Sequence, residues 1–327
     1  MDYCGIKEYL KGELERVNAV IRESLASDIE LLNKTNQSLL DHSGKQLRPV
    51  LALLVAKACS GGFVTEDTIH YAAAAELLHN ATLLHDDVAD GSLQRRGCPT
   101  VMSLLGGRAS VLLGDFWLVK AMHNILQSDN SSAQVIRLFS KTLSDLAEGE
   151  MLQLQKAASC DTKEPDYYRI IFSKTASLFE AAAVSAAISV GASAEKKKAV
   201  KNYARSLGIA FQIKDDILDY DGDESIGKPV GLDLMERKMT LPLLGALSKV
   251  DKATADTVRH KVSMIEEIPD AQNDIATFVR QFEGVDYARA RLGEYVDNAK
   301  IFLRALGQGP CVDMLGAIAD FVAERKS

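Results

Sequence analysis

Residues 69–90 read IHYAAAAELLHNATLLHDDVAD, and the reading of this stretch decides the fold. Its alanines and leucines favour helix. As one helix it makes about six turns. Apolar residues surround nearly its whole circumference, which predicts a central, buried helix rather than a surface one. The last turn runs against that burial. Asp86, Asp87 and Asp90 put three carboxylates together, although adjacent aspartates repel and are poor helix formers. Either this is a solvated helix end, or a cation belongs there.

The rest of the chain supports the helical reading. Residues 6–40 are amphipathic, with Leu10, Leu14, Val17, Val20 and Ile21 spaced near the helical period. Polar breaks fall at 42–49, 60–67, 91–100, 127–133, 158–166, 191–198, 219–231 and 307–311. Between them no strand alternation stands out, no repeat recurs and nothing reads as a linker. Of the 327 residues 47% are hydrophobic, while aromatics are 6%. The expectation is a single all-α domain over 1–327, with ten or more helices around a central cavity or core.

Composition removes several function classes. The net charge is −7, from 38 basic and 45 acidic residues, so a nucleic-acid binder is disfavoured. Five cysteines are scattered without a CxxC pair, which fits reduced thiols in the cytoplasm. The charged start MDYCGIKEYLKGELERV is not a signal peptide. No run reaches the ~18 apolar residues of a membrane span.

A second cluster resolves the question posed by the first. Residues 211–219 read FQIKDDILD, so Asp215, Asp216 and Asp219 repeat the spacing of Asp86, Asp87 and Asp90. Positions i and i+4 share a helix face. One DDxxD arises by chance; two, each ending an apolar helix, point to a function. If the two helix ends face each other, the carboxylates line one cavity. Hard oxygen donors select Mg²⁺, with Mn²⁺ as the alternative. Mg²⁺ favours a few carboxylates plus substrate phosphates, so a phosphorylated ligand is implied. Lys45, Arg48, Arg95, Arg96, Lys174, Lys228 and Lys238 would meet its charge. Each alone reads as a surface cation; together, around two acidic clusters, they form two groups that suit two diphosphates.

In order, GKQLRP (44–49), LLHDDVADGSLQRRGCPT (83–100), GDFWL (114–118), EGEMLQ (148–153), KTASLF (174–179), FQIKDDILD (211–219) and GKPVGLDL (227–234) resemble the motifs of the trans-isoprenyl diphosphate synthases, of the long-chain polyprenyl type. The motif-bearing part covers about 44–242. The resemblance implies Mg²⁺ on Asp86 and Asp90, with Asp87 in support, and another ion on Asp215, with Asp216 and Asp219 hydrogen-bonding around it. It implies allylic diphosphate contacts from Arg95, Lys174, Gln212, Lys228 and Lys238, with Thr175 and Gln212 near the breaking bond. Lys45, Arg48, His79 and Arg96 would hold isopentenyl diphosphate. His79 lies seven residues before Asp86, on the same face. His85 reads as a packing residue. One departure is visible: 236–238 read ERK where many members of that family have Gly in the middle, and Arg237 reads as a solvated side chain rather than an extra phosphate contact.

The implied reaction is head-to-tail elongation of farnesyl or geranylgeranyl diphosphate by isopentenyl units, feeding quinone side chains, in a homodimer that meets a membrane when product leaves. Thr82 and Ala81 lie four and five residues before Asp86, about one turn deeper. Both are small, which implies an open tunnel and a long product; a shorter-chain farnesyl or geranylgeranyl synthase is the alternative. A terpene cyclase would carry a different second motif and no second diphosphate site. A non-catalytic synthase subunit would lack carboxylates from one cluster. A di-iron bundle needs a pair of Glu-x-x-His motifs, and no such pair appears. Loss of Asp86 or Asp215 is expected to abolish turnover while leaving thermal stability unchanged or slightly raised, because clustered carboxylates repel when no metal is bound.

Overall fold

The computed structural model describes residues 1–42, 44–95, 97–128, 132–221 and 231–325. The regular structure of the described residues is almost entirely helical, as expected. The chain divides into two compact units. Boundaries at 140/141, 180/181 and 201/202 fall inside helices rather than in a polar linker.

The first unit comprises 1–140, 181–201 and 305–315. It opens with α1 (Tyr3–Tyr9), α2 (Lys11–Ser24) and α3 (Glu30–Asp41). The amphipathic stretch is thus three helices, with Leu10, Leu14, Val17 and Ile21 buried. Helix α4 (Leu47–Ser60) begins inside a stretch read as a break, because Gln46 turns the backbone left-handed at φ 56°. Its end is marked by Gly61 at φ 84°, where a side chain would be strained.

Helix α5 (Glu66–Ala89) is the predicted central helix. Thr65 caps it: the Thr68 N–H donates to Thr65 Oγ1 and the Thr65 N–H to Thr68 Oγ1, both at 3.1 Å. Tyr71 to Leu78 are buried without a break. Alanine at 72–75 lets α2, α4 and α7 (Gly107–Leu126) pack against it. Between α5 and α7 lie α6 (Val101–Leu105) and a hairpin pairing Gln94–Arg95 with Cys98–Pro99. Two-residue strands are too short to show alternation, which is why no strand was anticipated.

The second unit comprises 141–180, 202–304 and 316–327. It takes in most of α8 (Ser132–Ser159), α9 (Glu164–Ile171), a π-helical turn at Phe172–Ala176 and the start of α10 (Ser177–Ser189). The stretch Glu164–Ser189 would pass for a membrane span by length and composition, yet 83% of its apolar window is buried. It is a core helix. Most of α11 (Ala194–Asp221) follows, then α12 (Leu232–Met235) and α13 (Leu241–Leu247). Every residue of α13 is buried, between α15 (Ala271–Gln281) and α16 (Gly284–Leu303). Gly245 makes the approach possible: a Cβ there would lie 2.5 Å from the Tyr287 ring. Helices α14 (Lys252–Ser263) and α17 (Pro310–Glu324) complete the chain.

Candidate functional site

In the first unit, Asp86 is half-buried and Asp87 is 4% exposed, while Asp90 is exposed at the C-cap of α5. A helix C-terminus carries the negative end of the macrodipole and ordinarily attracts basic residues. The last turn of α5 has none, so three carboxylates and the dipole act in the same direction. Asp87 is settled within the protein: Arg95 Nε donates to its Oδ1 at 2.8 Å. Asp86 and Asp90 lie one turn apart on one face of the helix. The predicted diphosphate residue Arg95 is thereby fixed beside the cluster.

His85 turns to α7. Its Nε2 lies 3.3 Å from the Val111 carbonyl and 3.3 Å from Asp115 Oδ1. A Cβ at Gly114 would lie 2.4 Å from that nitrogen, so the glycine of GDFWL makes room for the ring. Lys45 is exposed and Arg48 is 8% exposed. They flank the left-handed Gln46, whose Nε2 donates to Asn18 Oδ1 at 2.7 Å. The Tyr3 hydroxyl donates to the Lys45 carbonyl at 2.8 Å. His79 is half-buried, and Glu76, one turn before it, is 6% exposed. These two form the only Glu-x-x-His of the sequence, where a di-iron bundle needs two. Ala81 is 1% exposed, and the Thr82 hydroxyl donates back to the His79 carbonyl at 2.8 Å.

The second unit gathers its residues around one cleft, lined by Lys174, Gln212, Asp216, Asp233, Lys238 and Tyr167. Thr175 Oγ1 donates to Gln212 Oε1 at 2.8 Å, and Gln212 Nε2 donates to Asp216 Oδ1 at 3.0 Å. The Tyr167 hydroxyl donates to the other oxygen of Asp216 at 2.6 Å. Burial and then the charge of Asp233 push the Asp216 carboxyl well above the usual range, against those two hydrogen bonds. Burial, then Asp219, pushes Asp233 up to about 7. Burial also raises Asp219, partly offset by backbone N–H groups of 231–233. Its carboxylate accepts from Leu232 N at 3.1 Å and Asp233 N at 3.3 Å, so it caps α12. Asp215 is half-exposed. The last turn of α11, like that of α5, holds no basic residue.

Lys174 Nζ lies 2.6 Å from Glu150 Oε1, the glutamate of EGEMLQ. Lys238 pairs with Glu236. Arg237 adopts φ 57°, the left-handed region that favours Gly, and its Nη2 lies 3.8 Å from Glu266. Arg96 and Lys228 lie outside the described residues. Sequence reasoning missed Tyr167, Asp233 and the π-helical turn that carries Lys174 and Thr175. Asp233 stood in the quoted GKPVGLDL without a role; nothing in the sequence marks the others.

The donor set fits Mg²⁺. Among the described residues no three His, Cys, Asp or Glu side chains converge as an ion cage. A hard cation that completes its shell with water and phosphate needs none.

Residues 29–279 match the family model described as polyprenyl synthetase. The chain is 37% identical over 332 residues to the octaprenyl diphosphate synthase of Escherichia coli K12, covering 99% of each. It is 35% identical over 326 residues to a short chain isoprenyl diphosphate synthase of Methanothermobacter thermautotrophicus, covering 98% of this chain and 99% of that one. A crystal structure of a decaprenyl diphosphate synthase from Rhodobacter capsulatus matches it with a TM-score of 0.91 at 34% identity, covering 99% of both chains.

Proposed function

The chain belongs to the polyprenyl synthetase family, and from that premise we propose that it joins isopentenyl diphosphate head-to-tail to an allylic diphosphate, as a long-chain trans-polyprenyl diphosphate synthase. Two helix C-termini, each bearing DDxxD and neither holding a basic residue in its last turn, carry this reading. Mg²⁺, or Mn²⁺ in its place, would supply charge neutralisation at the diphosphate when bound to Asp86, Asp90 and Asp215.

The chain's own groups do the rest. Lys174, Lys238 and Gln212 receive the allylic diphosphate, and Lys174 meets the negative charge that grows as the allylic C–O bond breaks. Thr175 is held toward that bond by Gln212. Lys45, Arg48 and His79 receive isopentenyl diphosphate. Its double bond attacks the allylic carbon, and the proton that then leaves passes to the released diphosphate, so no protein nucleophile is required. Buried apolar walls keep water from the cation. The tail runs along α5 past Ala81 and Thr82, which do not close its way. A long product suits quinone side chains.

The protein works as a homodimer in this reading. On α7, Leu112, Val119 and Leu126 are 61%, 51% and 58% exposed. Spaced by seven, they form one apolar stripe suited to a second copy. All five cysteines are free, which supports a cytoplasmic location.

The test is incubation of the full chain with Mg²⁺, isopentenyl diphosphate and farnesyl diphosphate, followed by sizing of the products. Prenyl diphosphates longer than geranylgeranyl are expected. Absence of condensation overturns the reaction. Products no longer than geranylgeranyl overturn the chain-length assignment.

A further inference from the structure

Arg325, outside every motif, reaches the second aspartate cluster. Its Nη2 lies 2.8 Å from Asp215 Oδ1 and donates to the Phe211 carbonyl at 2.8 Å. The guanidinium sits over the Phe211 ring, 4.0 Å from its centroid. The residue is 8% exposed, and its Nε is buried without a hydrogen-bond partner among the described residues. An arginine held this way is a fixed charge, not a mobile surface side chain.

A divalent ion at Asp215 would meet this guanidinium on the same carboxylate. Like charges in near contact weaken each other's binding by about tenfold even at high effective dielectric. A diphosphate beside the ion reverses the balance, because its several negative charges outweigh one guanidinium.

We propose that Arg325 is a positioning residue of the second cluster: it orients Asp215 and, by its fixed charge, makes divalent-ion binding there depend on diphosphate. This rests on the reading of Asp215 as a metal ligand. Ion and substrate then arrive together, and free Mg²⁺ alone does not occupy the position.

The experiment is Mn²⁺ titration of the full chain, followed by electron paramagnetic resonance, with and without inorganic pyrophosphate. Without pyrophosphate, Arg325→Gln is expected to bind Mn²⁺ about tenfold more tightly at one class of site. The gain should shrink when pyrophosphate is present and vanish in the Arg325→Gln, Asp215→Asn double variant. Arg325→Met, which keeps the packing on Phe211, serves if the Gln variant does not fold. Arg325→Lys, which keeps the charge, is expected to titrate like the unaltered chain. The proposal is overturned if the neutral variants titrate like the unaltered chain while Asp215→Asn weakens Mn²⁺ binding, or if Arg325→Lys shows the same gain as Arg325→Gln. If Asp215→Asn itself leaves Mn²⁺ binding unchanged in both conditions, the ligand assignment falls and this proposal with it.

Discussion

At the scale of single residues, Asp86 and Asp215 look equivalent in the sequence and are not equivalent in the fold. Asp86→Ala should abolish turnover and leave the melting temperature unchanged or raised, since it relieves repulsion near Asp87 and Asp90. Asp215→Ala should abolish turnover too, but it strands the buried Arg325 guanidinium, and an unpaired buried charge destabilises. A lowered melting temperature is therefore expected there, in place of the unchanged or slightly raised one the spacing alone suggested. Calorimetry of both variants checks the difference, and equal melting temperatures would contradict it. Arg237 is a second case. Its left-handed backbone suits Gly better than Arg and predicts that Arg237→Gly stabilises by about 1 kcal/mol through relief of strain. A fall in melting temperature would show that the Glu266 contact matters more. The aspartates were legible because their spacing is a one-dimensional signal. Arg325 and Tyr167 were not, because each meets its partner across a long sequence separation that no local pattern encodes.

At the scale of elements, α5 was legible almost to its ends, since an unbroken apolar helix with a polar cap is written in the local sequence. The π-helical turn at 172–176 was not, because a change in backbone hydrogen-bond register leaves no trace in composition. Two glycines seat it. A Cβ at Gly149 would lie 2.6 Å from Ser173 Cβ, and a Cβ at Gly208 would lie 2.5 Å from Ala176 Cα. Neither neighbour can swing away, since each is backbone or bonded directly to it. Gly149→Ala and Gly208→Ala should each destabilise by about 1–3 kcal/mol and displace Lys174 and Thr175. Steady-state kinetics should show the larger loss in kcat, with KM for isopentenyl diphosphate nearly unchanged. A pure stability loss, with kcat intact below the melting range, would separate the glycines from the chemistry.

At the scale of the whole molecule, product length and assembly are the properties at stake. Sequence identity does not separate long from short product, because relatives of both kinds match at 37% and 35%. In the proposed reading, local volume beside α5 does. Ala81→Phe places a ring about one turn, ~5.4 Å, below Asp86 and should shorten the product while condensation continues. An unchanged product distribution on thin-layer or mass analysis would mean the tail runs elsewhere. In the proposed homodimer, the exposed stripe of α7 is the contact. Val119→Glu puts a charge in its middle and should shift the mass in sedimentation equilibrium from dimer to monomer. A dimer that survives would place the contact on another face.

The π-helical turn has a consequence for how this gene can change. It holds one residue more than an α-helical turn, so everything after it is rotated by about 100° from where an uninterrupted helix would put it. A single added codon is enough to make such a turn, and loss of one would erase it. The shortened helix would be regular and, on local grounds, the better bonded of the two. The deletion should therefore yield a protein that still folds up to this point and has lost the presentation of Lys174 and Thr175. A three-base deletion here is a change that spares the reading frame and removes the chemistry.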